Sequence, residues 1–372
     1  MSSPAQVVLE LVVVVTLLAL AGSLAHVGWR SYREAGTLVT DSEPANCFAM
    51  AALLVFMLWI IEVKVSFAIT GEPSQASGLV VAGVPASLWV ALLATNVVQK
   101  ARGTPKRRRF GDEVEGGAPP EVTRRLDARR KLLHVLVFAT IFVVLAICDA
   151  ALKAGLRSAD TPQLRDYYQE KVDTFWGPQD GLDHARAAFQ YVALPMSQAV
   201  VVLYFYALAL VFLFVELTRV SERVHFPLHH AVQKSLREKE LDSPASYTTF
   251  AVGFCVASLL LPASQFLAAL ALMCFADAAA STVGMRWGKC RYGWNKKSLE
   301  GTLAGCVVGF LAALPLVGLV HALVAAGVFF VVDLATPRPV PASDNLLLPL
   351  GTAVAFVALG ALGVPSSAVL LG

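Results

Sequence analysis

The segment that decides the fold is Ala276–Gly309, ADAAASTVGMRWGKCRYGWNKKSLEGTLAGCVVG. It leaves an apolar run, passes through a short basic loop that contains glycines, and enters a second apolar run. Asp277 lies in sequence that otherwise suits the hydrocarbon core of a bilayer, where an ionisable side chain is costly and commonly functional. This segment is therefore our candidate functional site.

The composition predicts an integral membrane protein. Of the 372 residues, 56% are hydrophobic and 15% are charged, whereas soluble domains have about 25% charged residues. The six cysteines form no CxxC pair, so we expect inert apolar side chains and neither a disulfide framework nor a metal site. The predicted fold class is all-α and polytopic, with about ten transmembrane helices.

Ten apolar segments are separated by polar stretches along the chain. For the first segment a cleaved signal peptide is the competing interpretation, but no Lys or Arg precedes it, which favours a retained helix. The predicted spans cover about 6–25, 47–69, 78–98, 132–151, 191–215, 248–261, 266–283, 303–320, 321–334 and 346–371.

Charge placement predicts the topology. The block 99–131 holds eleven Lys and Arg residues against five acidic ones, which is typical of a cytoplasmic loop. Contact of Lys106–Arg109 with anionic lipid is a second interpretation. No base-reading module accompanies the charge, so nucleic acid is not an expected partner. Alternation then puts both termini and 152–190 outside. The cytoplasmic segments are 27–46, 99–131, 219–247, 284–302 and 335–345.

The candidate segment combines groups that suit a metal ion and phosphates. Asp277, Ser281, Gly284 and Gly288 share one helix face because of their spacing. Beyond them a basic loop leads to Ser298, which is suited to cap the following helix. Helix N-termini beside lysines bind anions, and carboxylates with phosphate-binding groups are what Mg-nucleotide chemistry requires. The residues that complete this set are Lys296, Lys297, Glu300, Gly301 and Thr302.

Structural interpretations compete with this one. Gly301, Gly305 and Gly309 recur every four residues, a pattern that serves helix packing more often than ligand contact. The basic loop alone would be a topology signal, and Asp277 alone a buried structural charge. Their conjunction within one short segment favours function. Neither a Walker A motif, a protein-kinase motif set nor a zinc pattern occurs.

Three further clusters fall on the predicted cytoplasmic face, and each has a structural alternative. A basic triplet precedes His134 and would also serve as an interfacial anchor. Glu216 and Arg219 are one helical turn apart and able to pair. Asp344 at the start of the last span is either a helix cap or a reactive carboxylate.

These motifs resemble those of the CTP-dependent lipid kinases, a family that includes dolichol kinase, phytol kinase and the yeast-type diacylglycerol kinase and is related to phosphatidate cytidylyltransferases. The resemblance covers about Arg130 to the C-terminus. Two departures are Ala276, where many members have Gly, and Asp333, near the place of a family Glu. The four ordered motifs are Arg130-Lys131-x-x-His134, then Glu216-x-x-Arg219 with Arg237-Glu238, then the run from Asp277 to Ala304, and finally Asp344-Asn345-x-x-x-Pro349.

The resemblance implies transfer of the CTP γ-phosphoryl group to a lipid alcohol, with Mg²⁺ or another divalent cation. It implies a membrane-embedded kinase domain at 132–372. It does not extend to 1–98, where we expect accessory helices, and a basic loop at 99–131 separates the two parts. Asp277, Glu300 and Asp344 are the expected catalytic and metal-binding carboxylates. The expected nucleotide and phosphate ligands are Gly284, Gly288, Lys296, Lys297, Ser298, Gly301, Thr302, Arg130, Lys131, His134 and Asn345, supported by Glu216, Arg219, Arg237 and Glu238.

The motifs look closest to those of dolichol kinases, so dolichol or another polyprenol is the first expected substrate, followed by diacylglycerol and phytol. We expect an endoplasmic reticulum protein with its site facing the cytoplasm. The alternatives are a cytidylyltransferase-like enzyme and a non-enzymatic transporter or scaffold in which Asp277 binds an ion.

Overall fold

A computed structural model of the chain describes residues 4–35, 42–70, 75–102, 120–176, 195–221, 244–294 and 297–367. The regular structure of the described residues is helical, and their only β-type pairing is an isolated bridge between Arg291 and Ser298. The helices are α1 Pro4–Ala35, α2 Ser42–Thr70, α3 Gln75–Arg102, α4 Pro120–Arg157, α5 Pro162–Asp173, α6 Met196–Ser221, α7 Ser246–Leu260, α8 Ala263–Ala271, α9 Asp277–Trp287, α10 Leu299–Ala335 and α11 Asp344–Ala361, with a π-helical turn, Leu272–Ala276, joining α8 to α9.

Eight helical stretches among the described residues are long and apolar enough to cross a bilayer. The predicted class, an all-α membrane protein, is thereby confirmed, whereas the count does not reach the ten spans that the sequence predicted. The count takes α10 as one stretch of 37 residues, and α7, with 15 residues, falls below the length of a span.

Helix α10 is a hairpin of two antiparallel halves. Gly318 has φ 79° and ψ 177°, which interrupts the helix. The hydroxyl of Thr302 lies 2.5 Å from the Asp333 carboxylate, and the Cys306 thiol lies 3.6 Å from the carbonyl oxygen of Ala326. In a straight helix, 31 residues would separate Thr302 from Asp333 by about 46 Å. The predicted division of this region into two apolar segments near residue 320 corresponds to this turn.

Several polar stretches that the sequence suggested as loops are partly helical. Helix α3 continues to Arg102 and α4 begins at Pro120, so both ends of the basic block 99–131 extend apolar helices. A helix longer than about 20 residues reaches past the hydrocarbon core and carries polar turns there. Likewise α9 ends at Trp287 and α10 begins at Leu299, which shortens the predicted loop 284–302 to residues 288–298.

The chain divides into two compact units. The first comprises Met1–Leu132, Phe205–Gly253 and Val340–Leu346, and the second comprises Leu133–Tyr204, Phe254–Pro339 and Leu347–Gly372.

In the first unit the N-terminal helices pack on the C-terminal half of α6. Val27 of α1, Cys47 of α2 and Val220 of α6 form one buried cluster. Trp89 of α3 donates a hydrogen bond of 2.9 Å to Thr16 and meets the ring of Phe214 edge-on. The helices for which the resemblance gave no role are therefore an integral part of this unit.

In the second unit the first half of α10 packs antiparallel to the stretch 272–284. A Cβ on Gly301 would meet the Ala280 carbonyl oxygen at 2.5 Å, and one on Gly305 would meet that of Ala276 at 3.0 Å. Gly309 faces Leu272 in the same register. The packing interpretation of this glycine repeat is confirmed, because a side chain at these positions would hold the helices apart.

Candidate functional site

The loop 288–298 is tied to the start of α10 by backbone and side-chain hydrogen bonds. Within it, the Tyr292 amide donates to the Lys297 carbonyl over 3.2 Å, and the Leu299 amide donates to the Cys290 carbonyl over 2.8 Å. Ser298 has extended backbone geometry, and its hydroxyl accepts from the Gly301 amide. The predicted helix cap at Ser298 is confirmed. The loop therefore has a defined shape where α9 gives way to α10.

The Glu300 carboxylate holds the other side of the loop. It accepts hydrogen bonds from the amides of Lys289, at 3.1 Å, and Cys290, at 3.0 Å. An acidic side chain in the first helical turn also faces the positive end of the helix dipole. This loop-closing contact was not foreseen from the sequence, and the metal-binding role of Glu300 stays a prediction.

Much of the predicted phosphate site is already engaged in internal contacts. The amides of Leu299 and Gly301 have partners within the loop and cap. A Cβ on Gly284 would meet the Ser298 hydroxyl at 3.0 Å, and Gly288 lies against the same side chain. To bind a phosphate, Ser298, Gly301 or Thr302 would have to give up internal hydrogen bonds. The exposed cations of the loop are more accessible to an anion.

Asp333 is the centre of a network at the open end of the hairpin. It is 8% exposed, and its two carboxylate oxygens lie 2.7 Å from Lys297 Nζ and 2.5 Å from the Thr302 hydroxyl. Lys297 also donates to the Thr336 hydroxyl over 3.1 Å, and the Tyr292 hydroxyl donates to Thr302 over 3.2 Å. A buried carboxylate with an ion pair and a hydrogen bond is compensated for its lost hydration.

Asp277 follows directly on the π-helical turn, and π-helical turns are frequent at functional sites. Asp277 is partly buried. One turn before it, the Cys274 thiol donates a hydrogen bond of 3.2 Å to the carbonyl of His134, which is 4% exposed. His134 of the first predicted motif and Asp277 of the third are 143 positions apart in the sequence. The contact between Cys274 and His134 shows that the two motifs lie on neighbouring helices.

Glu216 and Arg219 pair, as their spacing predicted, and the pair lies in a buried cluster of the first unit. Arg219 donates from Nε and Nη2 to the two Glu216 oxygens over 3.1 and 2.7 Å, and both side chains are almost fully buried. The Ala245 amide donates to Glu216 over 2.9 Å, and the Tyr247 hydroxyl donates to the same carboxylate. The pair therefore fixes the chain that enters α7 against the end of α6.

The final motif lies against the same helix start. Asn345 donates from Nδ2 to the Ser246 carbonyl over 3.0 Å, and its own amide donates to Asp344. The Ser343 amide donates to the side-chain oxygen of Asn46 over 2.8 Å. Ser246 lies between Ala245 and Tyr247, the two residues that donate to Glu216, so the second and fourth motifs meet within the first unit. The reactive role of Asp344 stays a prediction.

Some of the predicted residues cannot be placed. Lys296, Arg237 and Glu238 lie outside the described residues, and Arg130 is described only as part of helix α4, next to Lys131. Within the described part of the chain, no three His, Cys, Asp or Glu side chains converge as a metal site. Mg²⁺ commonly uses only one or two carboxylates together with substrate phosphates, so this finding does not test the metal-binding role of Asp277, which stays a prediction.

Comparison with known proteins yielded no match among family models, curated proteins or solved structures.

Proposed function

We propose that this protein is a CTP-dependent kinase for a lipid alcohol dissolved in the membrane. The observation that carries the proposal is the Lys297–Asp333–Thr302 network, which lies at the end of an apolar hairpin directly beside the basic loop. Charged groups at the end of apolar helices suit a reaction between a soluble anion and a lipid hydroxyl, because both substrates reach that boundary. We propose CTP as the phosphoryl donor because the four motifs resemble those of the CTP-dependent lipid kinases.

The end of α9 and the loop that follows it have the charge that a nucleoside triphosphate requires. Arg286, Lys289 and Arg291 are exposed, and no acidic residue interrupts them. The next acidic residue along the chain, Glu300, is directed to loop amides. A cluster of one sign beside a low-dielectric region attracts polyanions and raises their local concentration.

The first half of α10 offers a path for an apolar chain. Leu299, Leu303, Val307 and Leu311 are all exposed and recur every four residues, so they form one stripe along the helix. This stripe ends at the loop 288–298. An isoprenoid or acyl chain lying against it would bring its terminal hydroxyl to the basic loop.

In the proposed reaction, the lipid hydroxyl oxygen attacks the γ-phosphorus of CTP. The bond between that phosphorus and the β–γ bridging oxygen breaks, CDP leaves, and the hydroxyl proton passes to a carboxylate. Asp277 is our first choice for that carboxylate and Asp344 the alternative. Lys297 and the exposed loop cations hold the phosphates in place, and most of the catalysis comes from such positioning and charge stabilisation.

Mg²⁺, held by a second carboxylate together with the nucleotide phosphates, would neutralise charge that develops on the transferred group. Glu300 is the first candidate for that ligand, and whichever of Asp277 and Asp344 does not take the proton is the other. Dolichol or another polyprenol is the proposed acceptor, ahead of diacylglycerol and phytol, and the endoplasmic reticulum is the proposed location.

We also propose ten spans, with the loop 288–298 in the cytoplasm. The two halves of α10 counted separately, together with the short apolar α7, bring the eight long stretches to that number. Gly318 supports this proposal because its turn brings the chain back, so that Asp333 lies on the side where α10 began.

The cytoplasmic location of the loop can be tested with a membrane-impermeant maleimide. Among the six cysteines, Cys290 is the exposed one, while the others are buried or partly buried. In sealed vesicles of known orientation, we expect Cys290 to react from the cytoplasmic side and Cys290→Ser to abolish the labelling. Labelling confined to the opposite side would overturn the topology.

Asp277→Asn tests the proposed site. In membranes that contain the wild-type protein, label from γ-³²P-CTP should move into the lipid extract. The substitution keeps the size of the side chain but removes its charge, so we expect transfer to fall by about 100-fold or more. Asp149→Asn is the matched control, because Asp149 pairs with Lys153 on the partly exposed face of α4, and transfer should be unchanged. Full transfer by Asp277→Asn would refute the site.

A second label separates the competing reactions. A kinase leaves label from the α position of CTP on CDP, whereas a cytidylyltransferase moves that label into the lipid and releases pyrophosphate. A transporter or scaffold would give no CTP-dependent lipid product. A panel of polyprenol, diacylglycerol and phytol, each assayed with CTP and with ATP, identifies the acceptor and the donor.

A further inference from the structure

Two aromatic side chains of the loop form a stacked pair that the proposed chemistry does not use. The rings of Tyr292 and Trp294 have centroids 5.8 Å apart and an interplanar angle of 12°. Trp294 is 51% exposed. The Tyr292 ring lies nearly parallel to the indole, and about half of the Trp294 surface is open to a ligand. We call these two residues the aromatic pair.

Both rings are held by their polar atoms. The indole Nε1 of Trp294 donates to the Leu334 carbonyl over 3.1 Å, and the Tyr292 hydroxyl donates to Thr302 over 3.2 Å. The aromatic pair is thus attached to both halves of the hairpin, on either side of the Asp333 network. An aromatic surface fixed before a ligand arrives loses little conformational entropy when the ligand binds.

The surroundings distinguish a nucleotide from a lipid surface as the occupant. An interfacial tryptophan typically presents its N–H group to the headgroup region, but the Trp294 N–H group is committed to a protein carbonyl. The exposed cations Lys289 and Arg291 lie in the same loop. A planar aromatic surface in the same loop as exposed cations matches a ligand with a planar base and phosphates, and proteins bind bases by stacking them on such side chains.

We infer that the aromatic pair stacks the base of the nucleotide donor, with the exposed surface of Trp294 against the base. This inference rests on the proposed function, since it concerns the donor of that reaction. Every base has a π-face, so the aromatic pair contributes affinity for the nucleotide without selecting cytosine. Stacking on a positioned ring is worth about a 10- to 100-fold change in affinity.

Trp294→Ala should therefore raise the KM for CTP by about 10- to 100-fold and leave the KM for the lipid unchanged. Trp294→Phe keeps a stacking ring and should retain most of the affinity. Trp287→Ala is the control, because Trp287 is also exposed, at 61%, and lies outside the aromatic pair. Its KM for CTP should equal that of the wild type. Thermal unfolding of each variant in detergent identifies those that lose structure.

A binding measurement separates this inference from the proposed function. CTP added without lipid or divalent cation should quench tryptophan fluorescence in the wild type and in Trp287→Ala, but not in Trp294→Phe. If the wild type transfers phosphate from CTP while Trp294→Ala has an unchanged KM, the stacking inference is refuted and the kinase proposal stands. The same holds if Trp294→Ala changes only detergent extraction, as a membrane anchor would. If the wild type neither transfers phosphate nor shows quenching, both fail.

Discussion

Glu216→Gln should destabilise the protein by about 3–5 kcal/mol, because it leaves the buried Arg219 guanidinium without a countercharge. Both side chains of the pair are almost completely buried, so water cannot replace the lost carboxylate. The amide of Gln also lacks one acceptor oxygen, and the Tyr247 hydroxyl and Ala245 amide both donate to Glu216. Thermal unfolding in detergent should show a large fall in the midpoint.

The matched control is Glu170→Gln, which removes the same charge from an exposed pair with Lys171. Exposed pairs contribute about 0–1 kcal/mol, so this variant should unfold near the wild-type temperature. A Glu216→Leu, Arg219→Met double variant removes both charges and should recover part of the loss. An equal effect of the two Glu→Gln substitutions would show that burial of the Glu216 pair has no energetic consequence.

Gly318→Ala should destabilise the hairpin by about 2–4 kcal/mol. With φ 79° and ψ 177°, Gly318 occupies a backbone region that is essentially restricted to glycine and costs other residues about 1–3 kcal/mol. An added Cβ would also collide with the Ser367 side chain and approach its carbonyl oxygen to 2.9 Å. The measurement is again thermal unfolding, and we expect lower phosphoryl transfer as well, because the hairpin brings Asp333 to Lys297.

Gly327→Ala is the control in the same element. Gly327 is helical, and a Cβ there would meet no atom within 4 Å. The substitution should be neutral or stabilise the protein by up to about 1 kcal/mol, since alanine favours the helix. If both substitutions had the same effect, the positive φ at Gly318 would not be what forms the turn.

The sequence predicted the features that depend on local composition and spacing. Low charge and long apolar runs indicated a helical membrane protein, because hydropathy over about 20 residues is sufficient to identify a span. Spacing alone predicted the Glu216–Arg219 pair, the Ser298 cap and the glycine packing face on α10. The catalytic and ligand roles expected from the family resemblance stay predictions.

The sequence was less informative about where helices end and what each polar group contacts. It placed loop boundaries at the edges of apolar runs, but α3, α4 and α9 continue beyond them as polar turns. It treated Glu300 as a metal ligand without indicating that the carboxylate closes the loop through the amides of Lys289 and Cys290. That contact depends on the shape of the loop.

By itself, then, the sequence determined that the chain is an all-α membrane protein with a basic, glycine-containing loop that follows Asp277. Only the tertiary structure decided that Asp333 pairs with Lys297, that Tyr247 satisfies Glu216 and that Tyr292 stacks on Trp294 beside the hairpin. The first two pairings join residues more than 30 positions apart and are set by how helices pack against one another. The third depends on a loop fold that residues of α10 hold in place. Hydropathy and spacing report which groups lie near the membrane surface, but helix packing decides which of them meet.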